Sequence, residues 1–297
     1  MDIGSNTVKV TVYECDAGRR LRPLYGDAHT VRIGYRVSET GRISEERLER
    51  LLDVLRRYET RAVELGASQF LAVATQALRV AANSQEAVAS IERETRWRVN
   101  VIDADEETRL TLEGARPWIE PGVVNVVADI GGASTELIAV RADGNLESSG
   151  SVPTGSGMLF DEEIGTSPPP DGSMARARER ASTALGKSGL VPYSARMLLL
   201  PGGTGHYLNL LTGSLSSGAE LAPDRLELLA DWLGSRHAIE TMERIPVQFD
   251  RAQVLPASFA IVEALVLRCS PQRILAIPSG IRDGVARTLC EGGQSTG

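Results

Sequence analysis

Aromatic residues make up only 4% of the 297-residue chain, cysteine and histidine occur three times each, and lysine stands at just two positions, Lys9 and Lys187. Each scarcity excludes something. Cys15, Cys269 and Cys290 are too scattered for a close-spaced ligand set, and they suit a reducing compartment. His29, His206 and His237 lack metal-ligand spacing, so each reads as a surface or satisfied structural residue. No apolar run approaches the length that spans a bilayer, and the chain opens on Asp2-Ile3-Gly4 without a basic-then-apolar leader. A cytoplasmic protein with no membrane partner is the expectation. Positive charge is also short: the net charge of −7 argues against a broad nucleic-acid surface. It still allows a polyanion to be held by a few arginines focused in a cleft.

Against those absences stands a repeat. Asp2-Ile3-Gly4-Ser5-Asn6-Thr7 runs into the β-rich stretch Val8 to Tyr13. Asp129-Ile130-Gly131-Gly132-Ala133-Ser134-Thr135-Glu136 follows the apolar Val126-Val127-Ala128 and runs into Leu137 to Val140. Both read as strand, tight turn, strand, and they divide the chain into two similar halves. The remaining pattern agrees. A strand is expected at Thr30 to Ile33, then a helix capped by Ser44 with Leu48, Leu51, Leu52, Leu55 and Tyr58 on one face and Gly66 as its stop. A buried strand at Phe70 to Val73, a helix near Gln85 to Arg93 and a strand at Val99 to Ile102 complete the first half. The second half repeats the theme with a helix near Arg176 to Leu185 and strands at Met197 to Leu200 and Ile274 to Ile277. Strands alternating with helices indicate an α/β protein with mixed sheets. The division is expected near Arg116 to Pro121, giving domains 1–117 and 118–297, with the last helix able to pack back on the first.

Glycine lets a backbone approach a ligand closely, so successive N–H groups in such turns can face phosphate oxygens while Ser and Thr hydroxyls add donors. An aspartate ending the preceding strand is a natural anchor for hydrated Mg²⁺. A third element, Asp103-Ala104-Asp105-Glu106-Glu107-Thr108-Arg109, follows a strand and opens a helix. Helix capping by Asp103 or Asp105 would account for all of its carboxylates, and pattern alone does not separate Glu107 from that role. Gly186-Lys187-Ser188 ends a stretch resembling a nucleotide-binding loop, but Ala181 replaces the first glycine and no strand precedes it.

In order along the chain, the first turn, Ala74-Thr75-Gln76-Ala77-Leu78-Arg79, Glu106 to Leu110, the second turn, Pro201-Gly202-Gly203-Thr204 and Ser279-Gly280-Ile281-Arg282-Asp283-Gly284 resemble the exopolyphosphatase and guanosine-pentaphosphate phosphohydrolase family, in its short two-domain form. The resemblance implies two ribonuclease-H-like domains of the actin-like ATPase fold, with the active site in the interdomain cleft. It implies Glu107 as catalytic base and Asp129 with Glu136 as Mg²⁺ ligands. Gly4, Ser5, Asn6 and Thr7, with Gly131, Gly132, Ala133, Ser134 and Thr135, become the two phosphate loops. Lys9 and Arg251 match basic residues facing the phosphate chain, with Arg79 and Arg32 as further candidates. Two departures stand out: Ala133 replaces a usual third glycine, and Lys9 replaces a common arginine. The implied substrates are inorganic polyphosphate or guanosine pentaphosphate, with a homodimer allowed for. A small-molecule kinase of the same fold, a non-catalytic sensor of guanosine tetraphosphate and a filament-forming actin relative are the competing readings.

Overall fold

The computed structural model describes residues 1–190, 194–213 and 219–292. Two compact units are formed, Met1–Gly114 with Ile281–Gly297, and Ala115–Gly280.

The first unit starts with β1 (Asp2–Ile3), β2 (Thr7–Cys15) and β3 (Leu21–Thr30), followed by a single helical turn, α1 (Val37–Thr40), and α2 (Glu45–Glu64). Next come β4 (Leu71–Ala74), α3 (Gln76–Val80), α4 (Ser84–Glu94), β5 (Arg98–Val101) and α5 (Ala104–Ala115). Strand order is β3-β2-β1-β4-β5, antiparallel through the hairpins and parallel from β1 to β5. Ser44 caps α2, its hydroxyl accepting from the Arg47 N–H. The helix then buries Leu51, Leu52, Leu55 and Tyr58 against the sheet core that includes Val8, Val10 and Ala72. Each fully buried side chain of this size contributes about 1.5–3 kcal/mol.

The second unit holds β6 (Asn125–Ile130), β7 (Thr135–Val140), β8 (Leu146–Val152), α6 (Ser156–Leu159), α7 (Ser173–Ser188), β9 (Met197–Leu200) and α8 (Gly202–Thr212). It continues with β10 (Ala219–Leu221), α9 (Pro223–Gly234), α10 (Ala238–Arg244), α11 (Phe249–Ala252), α12 (Leu255–Cys269) and β11 (Arg273–Ala276). Its sheet runs β8-β7-β6-β9-β11-β10. Taken from the hairpins, the first five strands repeat the first unit's order and directions, and β10 adds an antiparallel edge. The duplicated turns thus head two separate sheets of the same ribonuclease-H-like plan.

The last helix, α13 (Ile281–Gly292), returns to the first unit. Ile281 and Val285 pack with Val73 and Leu110. Gly284 sits so close to α5 that an added Cβ would lie 1.9 Å from the Leu110 carbonyl oxygen. Arg282 donates to Val10 O and Thr11 Oγ1, and Tyr13 donates to Asp283.

Three sequence expectations are corrected. Thr30 to Ile33 is not a strand, because β3 ends at Thr30 and the next residues give their N–H groups to the first turn. Cys15 and Cys290 are joined by a disulfide with Cα atoms 5.9 Å apart, so the scattered thiols do not signal a reducing compartment. A 21-residue helical stretch, Phe249–Cys269, does reach membrane-spanning length and apolarity. It is the only such stretch among the described residues, and most of it is buried in the second unit's core. Gly186-Lys187-Ser188 lies within α7, so it forms no phosphate loop.

Candidate active site

Each Asp-Ile-Gly segment ends a strand and folds into the same tight turn. Gly4 N–H donates to Thr7 O at 3.2 Å, and Gly131 N–H donates to Ser134 O at 2.9 Å. An added Cβ at either glycine would stand 3.0 Å from that same carbonyl oxygen. Glycine is used here for close approach, since neither Gly4 nor Gly131 lies in the left-handed region. Ala133 does not lie there either, which is why the turn tolerates its methyl.

A second segment braces each turn from behind. Val31 and Arg32 donate to Asn6 O, and Gly34 donates to Ser5 O. Ser156 donates to Gly131 O, and Met158 donates to Gly132 O. Both braces follow the third strand of their sheet. At Gly155 a Cβ would meet the Ala133 nitrogen at 2.4 Å, and at Gly34 it would meet Ser5 Cβ at 2.9 Å.

Register decides the charge of each turn. Asp2 stands opposite Lys9 on the paired strands, and their side chains form an ion pair at 3.7 Å. Asp129 stands opposite Glu136, placing two carboxylates on one face of the second sheet. Ser134 and Ser151 both donate to Glu136 Oε1, each at 2.9 Å, which orients that carboxylate.

Other groups in the second unit gather near Asp129. An added Cβ on Gly280 would lie 3.9 Å from Asp129 Oδ2 and 3.6 Å from Pro201 Cβ. Pro201 leads into α8, whose Gly203 abuts the Arg251 guanidinium, at 3.3 Å from the position of its missing Cβ. Arg251 is only 6% exposed and its guanidinium lies over the Tyr207 ring at 5.3 Å. Burial lowers its pKa from the ordinary arginine value. No carboxylate among the described residues pairs with it. Buried side-chain atoms of Thr204 (Oγ1) and Ser279 (Oγ) in this unit have no hydrogen-bond partner, as is also true of Asn6 Nδ2 in the first turn and of several groups away from the turns such as Tyr58 and Ser258.

In the first unit, α5 separates its neighbouring glutamates. Asp103 caps the helix by accepting from the Glu106 N–H at 2.8 Å. Glu106 faces solvent and accepts from Arg109 Nε and Nη2, which lower its pKa. Glu107 is 8% exposed and accepts from Arg79 at 3.0 Å. Arg79 also donates to Ile102 O and twice to Gln76. Its donors are thereby engaged around Glu107. Sequence reasoning missed Gln76, Ser151, Tyr207 and the two braces. Only the small residues Thr154-Gly155-Ser156-Gly157 gave a readable sign of a close approach.

Two matched turns, each heading a sheet of the same strand order, define a protein of the duplicated ribonuclease-H-like class. More specifically, the chain matches the Ppx/GppA phosphatase family over residues 11–290 and belongs to it. It is 25% identical over 295 residues to exopolyphosphatase 1 of Mycobacterium tuberculosis, covering 96% of this chain and 86% of that protein. It is 26% identical over 296 residues to a guanosine-5'-triphosphate,3'-diphosphate pyrophosphatase of Aeromonas salmonicida, covering 96% of this chain and 58% of that protein. The crystal structure of the Aquifex aeolicus Ppx/GppA family member aligns with a TM-score of 0.78 at 25% identity, covering 99% of this chain and 97% of that one. An exopolyphosphatase from Cytophaga hutchinsonii shares the fold with a TM-score of 0.84 at 19% identity, covering 98% and 96%.

Proposed function

We propose that this protein is an exopolyphosphatase that hydrolyses the terminal phosphoanhydride bond of inorganic polyphosphate. The observation that carries the reading is Glu107, a buried carboxylate set apart from its capping neighbours and oriented by Arg79. Pure ligand binding has no need of such a group, whereas hydrolysis needs a base to orient and deprotonate water. The N–H groups and hydroxyls of Gly4 to Thr7 and of Gly131 to Thr135 hold the phosphates, assisted by Lys9 and Arg251. Positioning of this kind supplies much of the acceleration in phosphoryl transfer.

The facing carboxylates suit Mg²⁺. Among the described residues no cluster of three or more metal-ligating side chains occurs. Mg²⁺ nevertheless commonly takes only one or two carboxylates and completes its shell with water and phosphate oxygens. Asp129 and Glu136 would hold it, and when bound it would neutralise charge on the phosphoryl oxygens. Ser134 and Ser151 keep Glu136 turned for that task.

Guanosine pentaphosphate is the second substrate reading, favoured by the similarity to the Aeromonas pyrophosphatase. The test is phosphate release from polyphosphate chains of several lengths and from guanosine pentaphosphate, with Glu107→Gln beside Glu106→Gln. The base assignment expects Glu107→Gln to lower kcat by about 10²–10⁴-fold and Glu106→Gln to be mild. Equal effects at the two positions would remove Glu107 from this role.

A further inference from the structure

We propose that Gln76 is a positioning residue for Glu107: it occupies one edge of the Arg79 guanidinium, so that Arg79 steadies Glu107 through a single nitrogen instead of clasping both carboxylate oxygens. The proposal rests on the reading of Glu107 as the base and specifies what keeps that carboxylate able to take up a proton.

Neighbouring segments of the first unit bring these groups together. β4 and β5 run parallel with Ala74 opposite Val101, and the Ile102 N–H extends the pairing to Ala74 O. α3 and α5 therefore start from adjacent strand ends. Gln76 opens α3 and Arg79 stands three residues on, the spacing that puts two side chains on one helix face. Arg79 Nε and Nη2 both donate to Gln76 Oε1, at 3.2 and 2.6 Å. Its Nη1 donates to Ile102 O at 2.8 Å and to Glu107 Oε2 at 3.0 Å. The Nε/Nη2 edge belongs to Gln76, and Glu107 receives one nitrogen.

The adjacent pair on α5 displays the alternative. Arg109 Nε donates to Glu106 Oε2 at 2.7 Å and its Nη2 donates to Glu106 Oε1 at 2.8 Å, a fork closed on both oxygens. Those bonds are the chief reason that the Glu106 pKa is lowered. A carboxylate held in this way takes up a proton less readily and is a weaker base. The edge that Arg109 closes on Glu106 is the edge that Gln76 fills on Arg79. Gln76 is uncharged, so it fills that edge without cancelling the positive charge beside Glu107.

Burial makes the difference between one prong and two count. The Arg79 and Glu107 side chains are 20% and 10% exposed, against 48% and 40% for Arg109 and Glu106. Salt and water screen the outer pair well and the inner pair much less. A second prong would therefore hold Glu107 ionised more firmly than Arg109 holds Glu106. The plane of Arg79 is set by three acceptors on three segments, Gln76 on α3, Ile102 after β5 and Glu107 on α5. Without the Gln76 oxygen, the Nε/Nη2 edge is released to turn onto the carboxylate.

The experiment measures kcat and KM on polyphosphate chains for wild type, Gln76→Met, which keeps the length but has no acceptor oxygen, and Gln76→Glu, which restores one. Gln76→Met should lower kcat roughly tenfold and leave KM within about twofold, the signature of a weakened base. Gln76→Glu should return kcat to within about threefold of wild type, a rescue that a mere packing role would not give. In an Arg79→Lys background Gln76→Met should cost nothing further, because an ammonium has no fork to close. An unchanged kcat in Gln76→Met, no rescue by Gln76→Glu, or losses that add in the Arg79→Lys background overturn the inference. So does a raised KM at unchanged kcat, which would set Arg79 on the phosphates. A crystal structure of Gln76→Met separates this outcome from the phosphatase reading: Arg79 Nε and Nη2 should be found on both Glu107 oxygens. If that rearrangement is seen while the wild type releases no phosphate, the phosphatase reading fails and the restraint by Gln76 stands. A guanidinium that keeps its single contact overturns the restraint whatever the activity.

Discussion

The two glycine-rich turns share hydrogen bonds, sheet position and a brace, and differ in the sign of the charge at one paired position. Opposite Asp2 stands Lys9, and the pair neutralises itself. Opposite Asp129 stands Glu136, and that pair carries like charge held in order by two serine hydroxyls. Facing carboxylates of like charge destabilise a hairpin unless a cation or proton joins them. One copy of a duplicated motif therefore carries an ion pair across its hairpin, and the other carries two acidic positions there.

The largest way to break this contrast is to erase it. Glu136→Lys gives the second turn the charge pattern of the first. Phosphate release should fall by on the order of 10³-fold while the fold survives, as several kcal/mol of charge stabilisation are lost. Retained activity in that variant, with unchanged metal dependence, would reject the acidic pair as a cation site. Next comes a matched comparison of Asp129→Asn and Asp2→Asn. The former should lower turnover by roughly 10²-fold or more and weaken the response to Mg²⁺ titration. The latter should act mainly on stability, by about 1–3 kcal/mol in denaturant unfolding, because it leaves a half-buried ammonium without its partner. Similar kinetic losses from both would make the turns equivalent after all.

The braces offer a smaller contrast. Gly155→Ala drives a methyl into the backbone of Gly132 and Ala133, whereas Gly34→Ala meets mostly the Ser5 side chain. Losses of about 3 kcal/mol and about 1 kcal/mol are expected, read from urea midpoints. A reversed order would mean that the second turn yields more easily than its contacts indicate.

The smallest effect lies away from both turns. Burial raises the pKa of Glu263, partly opposed by Arg178 at 2.8 Å, so the folded protein favours its neutral form more than the unfolded chain does. The resulting stability is present below the unfolded carboxylate pKa and is lost as pH rises through the folded value. Glu263→Gln should thus gain Tm relative to wild type as pH rises from about 4 to 7. A widening advantage for wild type over that range would reverse the sign.

The repeated hairpins could be read in the sequence because Asp-Ile-Gly, small hydroxyl residues and an apolar strand lie next to one another. Ser44 and the Leu-rich face likewise located α2 from local spacing alone. Thr30 to Ile33 misled for a physical reason: Val31 and Ile33 are both buried, as in a strand, but their neighbouring N–H groups serve Asn6 and Ser5. The exposed strand Leu21–Thr30 had no apolar alternation to reveal it and contains Pro23 and Gly26. At the site, Lys9 and Glu136 were named as residues, yet their opposition to Asp2 and Asp129 exists only through strand pairing. Glu107 could not be told from Glu106 by pattern, because only packing buries one and exposes the other. The Cys15–Cys290 bond was hidden by a separation of 275 residues.

Because α13 completes the first unit, order of synthesis constrains its folding. A ribosome emits β1 through α5 and then the whole of Ala115–Gly280 before Ile281 appears. Until then the nascent chain carries Val73 and Leu110 without the Ile281 and Val285 that cover them. The earlier-made unit is thus the later one to finish, and Cys15 must wait for the final helix before it can meet Cys290.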